Sequence, residues 1–291
     1  VYVVASADFE TEVRLGKIEK LEQSLSRSMG LRVFKNGATA ITYTTDFADR
    51  SVKSLAAQAL EIVKVSNADE FNGLAPKEAL GIYDGRLSVF DESIARIPTE
   101  RKIEMAREAE EAGLAFDKRV TNSDGATWSD GMSQVTLANS NGFVGQYQTT
   151  GASLSVAVLA EADGVKQRDG YFNFGRFANR IDAPKSIGAE AARRAVSKLG
   201  ARQVKSQSVP VVVDPAVGRR LLSMIFNAAS GRSIYRKTTF LLDKKDQQIA
   251  SPLVTIVDDA TLADGPGGRP FDAAGVRASR LALVEKGTLK S

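Results

Sequence analysis

The 291 residues contain no histidine and no cysteine, so any chemistry here rests on carboxylates, hydroxyls and amines. The usual near-neutral general base is missing. A Ser–His–Asp triad, a cysteine nucleophile, an HExxH zinc helix, a thiolate metal site and a disulfide are all ruled out. Asp258, Asp259, Asp264 and Asp272 fall within one Gly/Asp/Pro-rich stretch. Oxygen donors in that density suit a hard cation such as Ca²⁺ or Mg²⁺. Their spacing does not match an EF-hand loop, and Asp in such a loop usually bonds its own backbone, which is the favoured reading. Gly265-Pro266-Gly267-Gly268 carries a proline and lacks the lysine of a phosphate-binding loop. Ser123, Ser129 and Ser140 have only carboxylates as neighbours that could act as bases, so none is read as a nucleophile. Trp128 stands among turn-forming residues and is read as packing rather than as a platform for a ligand.

Net charge is +4, from 39 basic and 35 acidic residues. The basic pairs Arg193–Arg194, Arg219–Arg220, Arg236–Lys237 and Lys244–Lys245 lie in different segments. That pattern predicts solvated faces, not the concentrated patch of a nucleic-acid binder. The longest apolar stretch, Leu154–Ala160, has the size of a strand, far below the ~18–20 residues that cross a bilayer. No membrane partner and no secretory leader are expected, and the lack of cysteine fits a cytoplasmic location.

These residues need elements to hold them. Apolar alternation over residues 1–45 predicts strands, with Asn36-Gly37 as a hairpin turn. Val52, Leu55, Ala56, Ala59, Ile62 and Val63 form one face of a helix capped by Asp46 or Asp49. Residues 66–98 read as a connector between subdomains. Thr99 is placed as the cap of a helix reaching Leu114, with Ile103, Ala106, Ala109 and Ala112 inside. Residues 117–181 read as a meander of short strands broken at Asp124-Gly125, Asp130-Gly131, Asn141-Gly142 and Asp169-Gly170. Ile187, Ala191, Ala195 and Leu199 predict a third helix that Gly200 ends. Val209–Val213 is expected to be a short buried strand, and Asp214-Pro215 the start of a fourth helix, with Asp as cap and Pro in the first turn. Strands follow at Phe240–Leu242, Leu253–Val257 and Leu281–Leu289.

Runs of strands with separate helices predict an α+β fold of antiparallel sheets with packed helices. The expected divisions are an N-terminal sheet-and-helix region over 1–98, a central β-meander with flanking helices over 99–205, and the start of a β-rich C-terminal domain over 206–291. The last segment reads as cut off inside a strand, so this domain is expected to be truncated.

The ordered set of motifs resembles the TldD/PmbA family. It comprises Leu31–Gly37, Glu190–Ala195 with Leu199-Gly200-Ala201, Val209–Pro215, Tyr235–Leu241, Val254–Asp259, Gly268–Asp272 with Gly275-Val276, and Glu285–Leu289. The resemblance spans nearly the whole chain. It implies a branch choice. TldD-type subunits carry HExxxH on the helix after the apolar strand and bind zinc, whereas PmbA (TldE) subunits lack it and pair with TldD. Here Ser223, Met224 and Ala228 stand at the His, Glu and His positions, so the resemblance is to the PmbA branch. Two departures are visible. Ala273-Ala274 follow Phe-Asp where acidic residues are usual, and the family extends beyond residue 291.

The resemblance implies no catalytic residue and no metal ligand in this chain, with zinc expected in the partner subunit. It implies a non-catalytic subunit of a heteromeric zinc metalloprotease that processes unfolded peptides. The partner would be a TldD-type subunit, with a homodimer in its absence. Asp258, Asp259, Gly267, Gly268, Pro270, Phe271 and Asp272 form the candidate loop for substrate or partner, and edges in the 140–160 meander are candidates to receive an extended peptide. A regulatory protein acting on DNA gyrase or a similar enzyme is the alternative. A carboxylate hydrolase built on the Asp258–Asp272 loop is the third.

Overall fold

Three two-residue turns organise the larger part of the molecule, as seen in a computed structural model that describes residues 1–85 and 87–291. Leu15-Gly16, Asn36-Gly37 and Asp163-Gly164 all have positive φ at both positions, from 49° to 76°. That geometry matches the right-handed twist of paired strands. The turns join β1 (Tyr2–Arg14) to β2 (Lys17–Lys35), β2 to β3 (Ala38–Thr44), and, further on, two strands of the central segment. Next come α1 (Asp49–Val65), a short α2 (Glu92–Ala95) and α3 (Thr99–Ala115). They are followed by β4 (Val120–Ala138), β5 (Val144–Ala162), β6 (Val165–Gly175) and α4 (Pro184–Ser197). The six strands form one antiparallel sheet in the order β3-β2-β1-β4-β5-β6. The α+β class holds.

The chain divides into two compact units. The first comprises Val1–Ala201 with Leu262–Ala278, and the second Arg202–Thr261 with Ser279–Ser291. In the first, α3 and α4 cover one face of the sheet. Ile187, Ala191 and Ala195 of α4 and Ala106 and Ala109 of α3 meet Trp128, Leu154, Val156 and Val158 in the main core. The two helices approach at glycine. A Cβ on Gly188 would stand 1.9 Å from the Ala109 carbonyl oxygen, so no other residue fits at this crossing.

Strands are longer than the turn signals predicted. Of the four Asx-Gly pairs, only Asn141-Gly142 turns the chain. Asp124-Gly125 is a bulge in β4, with Gly125 at φ +110°. Asp130-Gly131 runs straight through β4, because Asp130 is a buried acceptor and a Cβ on Gly131 would meet Asp8 Oδ1 at 2.5 Å. Asp169-Gly170 runs through β6, where the Val156 carbonyl lies 2.7 Å from the missing Cβ. In these strands glycine marks a close approach rather than a reversal.

Helix starts differ in detail. The cap of α1 is Ala48, while Asp46 accepts from the Ala48 amide (2.9 Å) and the Ser51 hydroxyl (2.5 Å). Thr99 lies inside the first turn of α3, after Pro98. The inner face of α3 also carries Lys102 and Glu110 beside Ala106 and Ala109. Of residues 66–98, expected to link subdomains, those described pack within the first unit. Gly81 and Tyr83 amides donate to Gly275 and Pro270, and the Thr150 amide to Val89.

In the second unit, α5 (Pro215–Ala229) begins as expected, with Asp214 Oδ1 accepting from the Ala216 amide at 2.8 Å. A short α6 (Gly231–Tyr235) follows, then β7 (Ile256–Asp259), β8 (Arg280–Glu285) and β9 (Thr288–Leu289), which make a three-stranded antiparallel sheet. Leu241, Leu283, Val284 and Leu289 form its core. Two expected strands are absent. Val209–Val213 pairs with no strand among the described residues, and Val212 is fully exposed. Phe240–Leu242 is a turn that buries only Leu241. Without a neighbouring strand, β-branched residues have no ladder to join, whatever their propensity.

Candidate functional site

The sequence-predicted positions fall in three places. The first is a shallow cleft of about 320 Å³ in the second unit, between α5 and β7, lined by Arg219, Leu222, Ser223, Phe226, Asn227 and Asp258, among others. The Asp214-Pro215 start sets the phase of α5, so Ser223 faces this cleft while Ala228 packs against the Leu241–Val284 core. Ser223 Oγ donates to the Arg219 carbonyl of its own helix at 3.0 Å. Met224 is exposed. Asp258 is exposed on β7. Its neighbour Asp259 accepts from the Thr261 amide (2.9 Å) and hydroxyl (2.7 Å), with Arg280 at 3.6 Å. These contacts, the Thr261 hydroxyl first, hold the Asp259 carboxyl below the ordinary carboxylate range.

The second place is the 262–278 loop of the first unit. Asp264, with φ +60°, pairs with Arg180 at 2.7 Å. Arg176 fans its guanidinium over three carbonyls, those of Thr150 (3.3 Å), Gly265 (3.1 Å) and Pro266 (2.5 Å). Its half-buried charge has lost solvent, which lowers its pKa. Gly268 and Pro270 are buried and Gly267 is exposed. Phe271 is 1% exposed, edge-on to Phe143 and Tyr147 with centroids 5.1 Å from each. Burial raises the Tyr147 pKa. Asp272 Oδ1 accepts from the Ala274 (2.8 Å) and Val276 (2.9 Å) amides, closing a turn at Gly275. The Asp258–Asp272 stretch is therefore divided between the two units, and Asp259, Asp264 and Asp272 each serve a local turn or ion pair. Among the described residues, no group of three or more Asp or Glu could hold a metal ion.

The third place was not singled out in the sequence. The sheet face opposite α3 and α4 forms an open polar groove of about 540 Å³. Small residues floor it. Ser129 and Ser153 share a 2.9 Å hydrogen bond, and Gly131 and Gly151 sit opposite one another. Asp8, Glu10, Lys20, Glu22 and Arg176 supply charge along it. Lys20 bonds Glu10 at 2.7 Å and Glu22 at 3.0 Å, which raises its pKa. The readable signal was the alternation Ser129-x-Gly131-x-Ser133 and Thr149-x-Gly151-x-Ser153, which puts only small residues on one face. Trp128 lies on the opposite face at 1% exposure, as expected of a packing residue. Ser123 is buried, its Oγ accepting from the Gly125 amide in the bulge at 2.9 Å. The peptide-receiving edge expected in 140–160 is closed over Ala152–Ala160, where β5 is flanked by β4 and β6.

Comparison with known proteins identifies three consecutive family domains. Residues 1–63 match domain 1 of the PmbA/TldA metallopeptidases, 92–199 the central domain and 206–291 the C-terminal domain. Metalloprotease PmbA of Escherichia coli O157:H7 is 31% identical over 289 residues, covering 99% of this chain. The chain spans 64% of that relative's length. A solved structure of a proposed modulator of DNA gyrase from Bacteroides thetaiotaomicron superposes with TM-score 0.92 at 27% identity, covering 100% of this chain and 66% of that one. TldE from Thermococcus kodakarensis shares the fold, with TM-score 0.82 at 19% identity, over 100% of this chain and 65% of that one.

A catalytic metal does not fit α5 of this chain. Ser223 spends its hydroxyl on its own helix, Met224 offers only a thioether, and Ala228 offers a methyl group. Hydrolytic zinc takes three nitrogen, oxygen or sulfur ligands plus water, and this helix supplies no imidazole, carboxylate or thiolate at those positions.

Proposed function

We propose, since this chain belongs to the PmbA/TldD family, that it is the non-catalytic subunit of a TldD/TldE-type two-component metallopeptidase acting on unfolded peptides in the cytoplasm. The observation that carries the reading is the chemistry of α5. Its Ser223, Met224 and Ala228 replace every group that could ligate zinc or accept a proton from water. Hydrolysis is then assigned to a histidine-bearing TldD-type partner, which would hold the zinc. What this chain contributes is surface. The groove floored by Ser129, Gly131, Gly151 and Ser153 lets an extended backbone lie close to the sheet, and Glu10, Lys20 and Arg176 offer polar contacts of either sign. No helix among the described residues is long and apolar enough to cross a membrane.

The test compares peptide cleavage by this chain, by a TldD-type partner and by their mixture, each with and without a zinc chelator. Cleavage by the mixture alone, stopped by the chelator, is the expected result. Chelator-insensitive cleavage by this chain alone would overturn the assignment and direct attention to its carboxylates.

A second reading, regulation of DNA gyrase, is favoured by the description of the Bacteroides structure. It requires DNA or gyrase binding with a steep salt dependence. No binding at low salt removes it.

A further inference from the structure

The long hairpin of β1 and β2 leaves one strand edge open. β3 pairs with β2 only from Met29 onward, whereas β1 pairs along its other side down to Lys17. Residues 17–28 therefore have a neighbour on one side only among the described residues, and all of them are exposed. An open edge presents a row of unpaired amides and carbonyls, and proteins usually blunt it with charge. Here the blunting is weak. Lys20 is neutralised within its own sheet by Glu10 and Glu22, and two leucines stand out, Leu21 at 55% and Leu25 at 80% exposure.

The order of side chains along this edge is self-complementary. Two copies paired antiparallel about Gln23 place Leu21 opposite Leu25 twice, Glu19 opposite Arg27 twice, Lys20 opposite Ser26, and Glu22 opposite Ser24. Opposite residues in an antiparallel pair share a face, so the four leucines form two pairs on one face, one on each side of the central Gln23 pair. Gln23 also stands next to the midpoint of the open stretch 17–28, so the end of β3 does not obstruct the pairing. Centring on Glu22 instead would oppose Glu22 to itself and Lys17 to Arg27. Centring on Ser24 would oppose Leu21 to Arg27. We infer that residues 18–28 of β2 pair with the same segment of a second copy of this chain, about a two-fold axis at Gln23, continuing the six-stranded sheet into a twelve-stranded one. This goes beyond the peptidase reading and does not depend on it.

The lack of native cysteine makes the test direct. Facing residues have Cα atoms about 4.5–5.5 Å apart, within the range of a disulfide. Gln23→Cys should give a cross-linked dimer under mild oxidation. Leu21→Cys should not, because its two copies stand about 13 Å apart in this register. In sedimentation velocity the unmodified chain should be dimeric. Glu19→Arg and Arg27→Glu should each weaken the dimer at least about tenfold, and the double variant should restore it. The double variant keeps the loss of the Arg27–Phe47 contact, so rescue reports the intermolecular pair and not local damage. A monomeric chain, cross-linking at Leu21→Cys instead of Gln23→Cys, or no rescue in the double variant would each overturn the inference.

Discussion

Replacing Lys102 by methionine should destabilise the first unit by about 3–5 kcal/mol, the usual cost of removing one partner from a buried ion pair. Lys102 Nζ lies 2.7 Å from Asp130 Oδ2, and the two side chains are only 7% and 8% exposed. Trp128 Nε1 donates to the same carboxylate oxygen at 2.6 Å, and the ammonium lies 4.3 Å from the centre of the Phe9 ring. The variant leaves the Asp130 carboxylate enclosed with a single neutral donor. Methionine nearly matches the lysine stem in volume, so little of the loss comes from packing. Lys102→Met/Asp130→Asn removes both charges and should cost clearly less than the sum of the single changes, a coupling of about 2 kcal/mol or more. Urea unfolding followed by tryptophan fluorescence measures this directly. Trp128 is the only tryptophan and touches the pair, so the signal reports the first unit alone. At a slope of about 1–3 kcal/mol/M, the single variant moves the midpoint by about 1–5 M. A loss under about 1 kcal/mol, or strict additivity in the double variant, would refute the account of a charge pair isolated from water.

Three further outcomes follow from the packing. Gly188→Ala puts a methyl group 1.9 Å from the Ala109 carbonyl and should lower the stability of the first unit by about 1–3 kcal/mol or more, seen in the same unfolding assay, while Gly200→Ala, with open space around it, acts only through its positive φ. Glu110 is fully buried and accepts from the Leu15 (2.8 Å) and Gly16 (3.0 Å) amides at the β1–β2 turn; Glu110→Ala should cost about 2–4 kcal/mol and raise amide hydrogen exchange at those two residues. Glu190 has its pKa pulled down to about 2 by Arg193 and then Arg194, from an ordinary 4.5. A depressed folded-state pKa means stability that is present above about 4.5 and lost as pH falls from there toward 2. An Arg193→Ala/Arg194→Ala variant should flatten that acid limb, and an NMR titration of the Glu190 carboxyl should show its pKa returning toward the ordinary value.

What could be read directly from the chain was local. Asn36-Gly37 turned the chain because asparagine and glycine tolerate positive φ, and Asp214-Pro215 started α5 because a carboxylate can cap the first amides and proline needs none. Ile187, Ala191 and Ala195 showed the buried face of α4 by their spacing. The vacant chemistry of the Ser223–Ala228 helix was also legible, since composition alone excludes imidazole and thiolate. Other features depended on distant partners. Asp130-Gly131 has the composition of a turn, yet Lys102 and Asp8 from other elements keep it in a strand. Val209–Val213 has the composition of a buried strand, yet no strand among the described residues stands beside it. The polar groove joins residues from β1, β2, β4, β5 and β6 as far apart in sequence as Asp8 and Phe174. Propensity and capping act over a few residues and are written in neighbouring letters. Burial, ion pairing and strand pairing depend on which surfaces meet, and only the folded chain decides that.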